Sequence, residues 1–206
     1  KEDMVTPELL DRFVEHALFL LKENQKLNLT ALTDPREVCA KHYLDSWRLS
    51  MWMPLMGRRV LDLGSGAGFP GIPLALAEPH AKFSIVESIQ KKADFIARSI
   101  EHLGLKNATA YPERAEEHLI TNKVDIVLVR AVSSVRENVR LVRKVRHSLK
   151  DMVMFKGPSW SREVRAGERE AERLGFRLGT VWEYELPGDM GKRAILVYQA
   201  PGGQGR

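Results

Sequence analysis

The sequence holds a single cysteine, Cys39, among 206 residues. One thiol excludes an internal disulfide and any multi-cysteine zinc site. Long apolar runs are missing too. A stretch such as Ala17-Leu18-Phe19-Leu20-Leu21 is far too short to cross a bilayer. No basic segment followed by an apolar core and a small-residue cleavage site opens the sequence, so no export signal is expected. These absences make the cytosol the expected compartment, with no membrane partner. Acidic side chains are scarce where they would balance the charge. Residues 1–56 carry 7 basic and 9 acidic groups, a net −2, which leaves +7 on residues 57–206 within the overall +5. An excess of this kind suits a polyanionic partner, although an ordinary basic enzyme carries it equally well.

What is present falls into two rhythms. Thr6-Pro7 reads as an N-cap with proline at the first helical position. Apolar residues from Leu9 to Leu21 follow with helical period. Asp34-Pro35 opens a second helical stretch expected to reach about Met53, stopped by Pro54 and Gly57. From Arg59 strand-like runs alternate with amphipathic ones. The expected pairs are 60–63 with 71–77, 82–86 with 91–103, 108–111 with a short helical turn, 124–129 with 135–149, and 152–155 with 163–174. Runs 177–184 and 194–199 then follow with no helix between them. Alternation implies a parallel sheet covered on both faces, and the last pair implies an antiparallel edge. The organisation expected is a helical extension over 1–56, a Rossmann-like domain over 57–200 and a flexible tail over 201–206.

The chemistry centres on "VLDLGSGAGFPGIPLALA", residues 60–77. A strand leads into a glycine-punctuated loop that opens a helix, the context in which such loops hold nucleotides. Gly66, Gly68 and Gly71 match G-x-G-x-x-G, which suits a dinucleotide. No Gly-Lys-Ser/Thr follows, so a Walker loop is excluded. Asp62, Gly64, Gly66 and Gly68 match D-x-G-x-G-x-G, which suits S-adenosylmethionine. There the glycines let methionine and ribose lie on bare backbone, and Asp62 receives the ammonium. Glu87, closing the next strand, meets ribose hydroxyls with either cofactor. The fuller pattern and the terminal strand pair favour the methyl donor over a dinucleotide.

Five segments occur in order: "NLTALTDPREVCAKHYLDS" (28–46), "LDLGSGAGFPGIPLA" (61–75), "RAEE" (114–117), "VRA" (129–131) and "FKG" (155–157). Together they resemble the glucose-inhibited division protein B family, called RsmG, over about residues 28–199. Members are bacterial methyltransferases that modify guanine N7 in small-subunit ribosomal RNA. The resemblance implies a class I methyltransferase fold, a mostly parallel seven-stranded sheet with an antiparallel edge and an N-terminal helical cap. It places cofactor contacts at Gly64, Phe69, Ala115, Glu116 and Arg130. Glu87 stands where aspartate is common in the family.

Guanine N7 has an in-plane lone pair and no proton, so in-line attack needs positioning rather than a general base. The positioning groups expected are Arg114, Arg130 and Lys156, each following a strand end. Arg130 is assigned to the cofactor rim and target base, and Arg114 and Lys156 to RNA phosphates or the guanine edge. Glu116 is expected to accept from the adenine amino group. His42 and Asp45, one helical turn apart, are read as structural hydrogen-bonding groups, and no metal site is expected. In "SVRENVRLVRKVRHSLK" the valines form a buried side, while Arg136, Arg140, Arg143 and Lys144 form a basic one read as an RNA contact. The partner expected is 16S ribosomal RNA or the small ribosomal subunit, met by a monomer. Phe69, Trp160 and Tyr198 are the aromatic candidates. Phe69 is placed against the cofactor and the other two in the core. A small-molecule methyltransferase, an NAD(P)-dependent oxidoreductase and a non-catalytic RNA-binding protein are the competing readings.

Overall fold

The computed structural model describes residues 5–203. Helix α1 (Pro7–Leu27) starts where the Thr6 hydroxyl accepts from the Leu9 N–H at 3.2 Å, and it ends at Asn28, whose φ is 50°. Asp34 caps the next helix by accepting from the Arg36 and Glu37 amides. The stretch expected as one α-helix is three segments run together: α2 (Pro35–Val38), a π turn (Cys39–Leu44) and α3 (Asp45–Trp52).

Seven strands follow: β1 (Arg59–Leu63), β2 (Lys82–Val86), β3 (Ala108–Tyr111), β4 (Ile126–Arg130), β5 (Asp151–Lys156), β6 (Arg177–Glu185) and β7 (Lys192–Gln199). Their spatial order is β3-β2-β1-β4-β5-β7-β6. β1 to β5 are parallel, and β7 inserts antiparallel between β5 and β6. The sheet is the class I methyltransferase arrangement. Its order reverses between β1 and β4, and ligands of open α/β sheets bind at the carboxyl ends of the strands beside such a reversal.

Between the strands lie α4 (Gly71–Ala77), α5 (Gln90–His102), α6 (Ala115–Thr121), α7 (Val135–Leu141) and α8 (Trp160–Arg173). Two apolar layers sandwich the sheet. One joins Phe13, Leu20, Tyr43 and Trp47 of the N-terminal helices to Ile72, Phe95 and Ile96 of α4 and α5. The other sets Leu119, Val135, Val139 and Ala171 of α6, α7 and α8 against Leu61, Val127 and Met152. The N-terminal helices therefore share a core with the sheet and cap one face of it.

The starts expected at 163 and 194 fall at Trp160 and Lys192, and two further boundaries move. The helix expected over 135–149 ends at Leu141. Residues 142–145 are turns, and Arg146–Ser148 form a 3₁₀ segment. The Val145 N–H bonds the Val142 carbonyl, three residues back, and the Ser148 carbonyl is taken by the Val124 N–H. Valines lower the helical preference here, and the tie to residue 124 turns the chain toward β5. At the other end, Pro201–Gly203, expected in the tail, form a 3₁₀ turn closed by the Gly203 N–H on Ala200; residues 204–206 lie outside the described residues. No helix among the described residues is long and apolar enough to cross a membrane.

Candidate functional site

Asp62, next to last in β1, has no exposed surface. Its Oδ2 accepts the Gly71 N–H at 2.8 Å and the Ser65 hydroxyl. Its Oδ1 is buried with no partner. Burial lifts this carboxyl to about 6, against the pull of Ser65, Gly71 and Arg130. A half-satisfied buried carboxylate is costly unless a donor or cation completes it. The loop that follows turns three times through the left-handed region, at Gly64, Gly66 and Gly68 with φ of 63°, 62° and 92°. A methyl group built on Gly66 would meet no protein atom, so bare backbone faces open space there. Glu87 lies across from it. Its Oε2 accepts the Gly66 N–H and its Oε1 the Ile89 N–H, both at 2.9 Å. An orphaned acid, an uncovered backbone and a fixed second acid fit the ammonium, methionine chain and ribose of S-adenosylmethionine.

Arg130 closes β4 and reaches the cap. Its Nη1 donates to the Lys41 carbonyl at 2.7 Å and to Asp45 Oδ2 at 3.3 Å. Its Nη2 lies 2.9 Å from His42 Nδ1. A guanidinium only donates, so Nδ1 must accept and the ring proton sits on Nε2, 3.0 Å from the Thr30 hydroxyl. Burial, reinforced by the Arg130 charge, pushes His42 down to about 3, so the ring is neutral. Phe69 stacks on His42 with centroids 4.3 Å apart and planes at 10°, and the Arg130 guanidinium lies over the Phe69 ring, 5.4 Å from its centroid. Asp45 is completed by the Tyr184 hydroxyl at 2.6 Å.

The π turn accounts for this convergence. A widened turn brings a carbonyl and side chains onto one side of a helix, a common device at functional sites. Here it gives Arg130 the Lys41 carbonyl, the His42 ring and the Asp45 carboxylate together. Beyond Arg130, Ala131 adopts a φ of 55°, rare for a residue with a Cβ. The loop is pinned further on. Ser133 exchanges hydrogen bonds with the buried Asn138, and its carbonyl accepts the Lys156 ammonium at 2.6 Å. Glu163 pairs with the same ammonium at 2.8 Å. The loop thereby holds Val132, 39% exposed, beside Gly64; a methyl built on Gly64 would lie 3.2 Å from it.

A cleft of about 420 Å³ opens in front of these groups, lined by Lys41, His42, Asp45, Arg130, Lys156 and Arg193 among others. The structure brings together Asp62, Gly64, Gly66, Gly68 and Glu87 around the loop. It redistributes the remaining candidates. Arg130 and Lys156 spend hydrogen bonds on the cap and on the β4–α7 loop, rather than presenting free heads to a ligand. The Phe69 ring, expected against a cofactor, is 3% exposed within the cap's aromatic cluster. The Arg114 side chain is 67% exposed and forms an ion pair with Glu116 at 4.0 Å, and Ala115 is buried at the start of α6. Arg136, Arg140, Arg143 and Lys144 are all exposed, and Arg140 is paired with Glu170 at 2.8 Å. Tyr198 is in the core, and Trp160 is partly buried with its Nε1 3.3 Å from Glu183. Sequence reasoning missed Ser65, Tyr184 and the π turn. Ser65 could have been found as the hydroxyl three residues after Asp62; Tyr184 had no local signal. Among the described residues no cluster of three His, Cys, Asp or Glu is placed to hold a metal ion.

The family model described as GidB, rRNA small subunit methyltransferase G, matches residues 9–186. A ribosomal RNA small subunit methyltransferase G of Solibacter usitatus is 40% identical, across 88% of this chain and 86% of its own. Its counterpart in Carboxydothermus hydrogenoformans is 35% identical, across 95% and 85%. Among solved structures, a SAM-dependent methyltransferase from Aquifex aeolicus superposes with a TM-score of 0.57 at 19% identity, covering 87% of this chain and 98% of that one. A likeness that distant speaks to the fold alone.

Proposed function

Because the chain belongs to the rRNA small subunit methyltransferase G family, we propose that it methylates N7 of a guanine in 16S ribosomal RNA. When bound, S-adenosylmethionine supplies an electrophilic methyl carbon on a sulfonium. Asp62 Oδ1 would take its ammonium, the Gly64–Gly68 backbone its methionine and ribose, and Glu87 the ribose hydroxyls. Glu116, at the start of α6, would accept from the adenine. The unpartnered buried oxygen of Asp62 is the observation that carries this reading.

The choice of N7 rests on which acceptors the cleft can serve. An amine cation or a hydroxyl must lose a proton to a base; guanine N7 need not. The groups lining the cleft offer no free base. His42 has its one lone pair on an Arg130 N–H, and Asp45 is held by Arg130 and Tyr184. What they do is hold position. Arg130 joins the cap to the end of β4, and Lys156 fixes the loop that presents Val132 beside the glycines. Near-contact alignment of this kind supplies much of the barrier reduction in a transfer without proton chemistry. Arg136, Arg143 and Lys144 are exposed to meet RNA phosphates, and Arg114 is exposed beside its Glu116 partner. The ribosomal substrate assigns the reaction to the cytoplasm.

The test is incubation with labelled S-adenosylmethionine and either naked 16S RNA or small subunits, followed by mass mapping. Label on a guanine that is lost by depurination is expected of an N7 product. Label on a metabolite, a protein or another base atom rejects the proposal.

A further inference from the structure

The sheet is not evenly covered. Parallel strands buried on both faces read as continuous apolar runs, whereas half-exposed ones alternate. β4 reads Ile126-Val127-Leu128-Val129, all buried. β2 reads Lys82-Phe83-Ser84-Ile85-Val86, and its Phe83 and Ile85 pack under α4 and α5. Lys82 and Ser84 therefore point to the other face, with Thr109 and Tyr111 of β3. Helix α6, which should cover that face, is seven residues long and packs its Leu119 toward β1 and β4. A trough of about 710 Å³ remains beside it.

Its lining is one-sided in charge. Arg59, Lys82, Lys106 and Lys123 line it, with no aspartate or glutamate, in a chain that holds 27 of them. Lys82, Lys106 and Lys123 are exposed and form no ion pair among the described residues; Arg59 alone has a partner, Asp125 at 3.5 Å. Lys82 and Arg59 face each other as the first residues of β2 and β1. Lys106 and Lys123 stand just before β3 and β4. All four cations thus gather at the amino edge of the sheet, opposite the glycine loop. The trough's other end is Tyr111, whose carbonyl accepts the Glu87 N–H beside the candidate donor site. One β-strand of five residues, about 16 Å, separates the two ends.

We propose that this trough is a track for the phosphodiester backbone of the RNA substrate, leading from the candidate site to the amino edge of the sheet. It rests on the ribosomal RNA reading above. Unpaired lysines around a polar floor without carboxylates suit a ligand of repeated negative charge. Neutralising phosphates releases counterions, so the contribution is read in the salt dependence of binding.

The test is the full chain carrying Lys82→Gln, Lys106→Gln and Lys123→Gln, compared with wild type and with a triple Lys→Arg variant. Binding of a 16S RNA transcript is measured by filter retention from 50 to 200 mM salt. The glutamine variant is expected to lose about tenfold in affinity at low salt and about 2 units of log–log salt slope. The arginine variant keeps both. Calorimetric affinity for S-adenosylmethionine and turnover at saturating RNA stay at wild-type level, while the RNA KM rises. An unchanged slope in the glutamine variant overturns the proposal, as does loss in the arginine variant. A loss toward polyglutamate with none toward RNA would give the trough to an acidic peptide and also overturn it. Wild-type protein that transfers no methyl to RNA rejects the parent reading instead.

Discussion

Arg130 and His42 meet across the seam between β4 and the cap, Nη2 to Nδ1 at 2.9 Å, on residues 88 apart in sequence. The contact fixes a tautomer at one end and a guanidinium at the other. Replacing Arg130 by lysine keeps the charge but not the fork, so Lys41, His42 and Asp45 are no longer satisfied together. A loss of about 2–3 kcal/mol is expected in urea denaturation, with at least a tenfold fall in turnover. An unchanged midpoint would show that the seam contributes nothing.

His16 and His42 are both buried neutral, pushed down to about 3 chiefly by burial. The unfolded chain takes up protons below about 6.5 while the native state does not. Stability therefore falls as pH drops from 6.5 toward 3, by up to about 1.4 kcal/mol per pH unit for each ring. Asp62 works in the opposite sense. Raised from 3.8 to about 6, it binds its proton in the native state first, so acid favours folding between those values. Asp62→Asn should steepen the loss of stability between pH 6 and 4, and His42→Asn should flatten it. Urea midpoints across that range decide, and parallel curves would refute the assignment.

If Asp62 takes the donor's ammonium as proposed, donor affinity should depend on pH. Binding of S-adenosylhomocysteine to wild type should weaken below about pH 6 as Asp62 takes a proton. Asp62→Asn should bind about thirtyfold more weakly at pH 7.5, a loss of about 2 kcal/mol, and should lose that acid limb. Calorimetry at several pH values would sink this if variant and wild type keep the same acid limb.

Gly66→Ala separates ligand space from backbone strain. The added methyl meets no protein atom, so stability should drop only by the cost of a left-handed alanine, about 1 kcal/mol. Donor affinity should drop at least tenfold, because the methyl occupies the space assigned to the ligand. Equal affinity in the two proteins would mean that the ligand lies elsewhere.

Arg136, Arg140 and Arg143 should not contribute alike to RNA binding. Arg140 already shares Glu170 with Arg173, and those two cations hold that carboxyl near 2. Arg136→Gln and Arg143→Gln should each lower the salt slope of 16S RNA binding by nearly 1, and Arg140→Gln by clearly less. Three equal effects would argue that the Glu170 pair opens when RNA arrives.

The parallel sheet, its antiparallel edge and the glycine loop were legible because strand and helix periods, caps and glycines are local signals. The π turn was not. "CAKHYL" carries the same periodicity as an α-helix, and the groups that the wider turn turns to one side meet Arg130 only 86 or more residues later. The intramolecular partners of Arg130 and Lys156 were hidden for a related reason. A cation after a strand end reads as a ligand contact, and only the tertiary fold shows the carbonyl, ring or carboxylate already facing it. Alternation in β2 did carry the open sheet face, but its meaning depended on the shortness of α6.

The cap draws its partners from far along the chain. Phe13 and Tyr43 need Phe69 and Phe95, Asp45 needs the Tyr184 hydroxyl, and Trp52 packs against Trp182. During synthesis the cap therefore finds Phe69 and Phe95 well before Trp182 and Tyr184 exist, so its apolar side is covered in two separate stages.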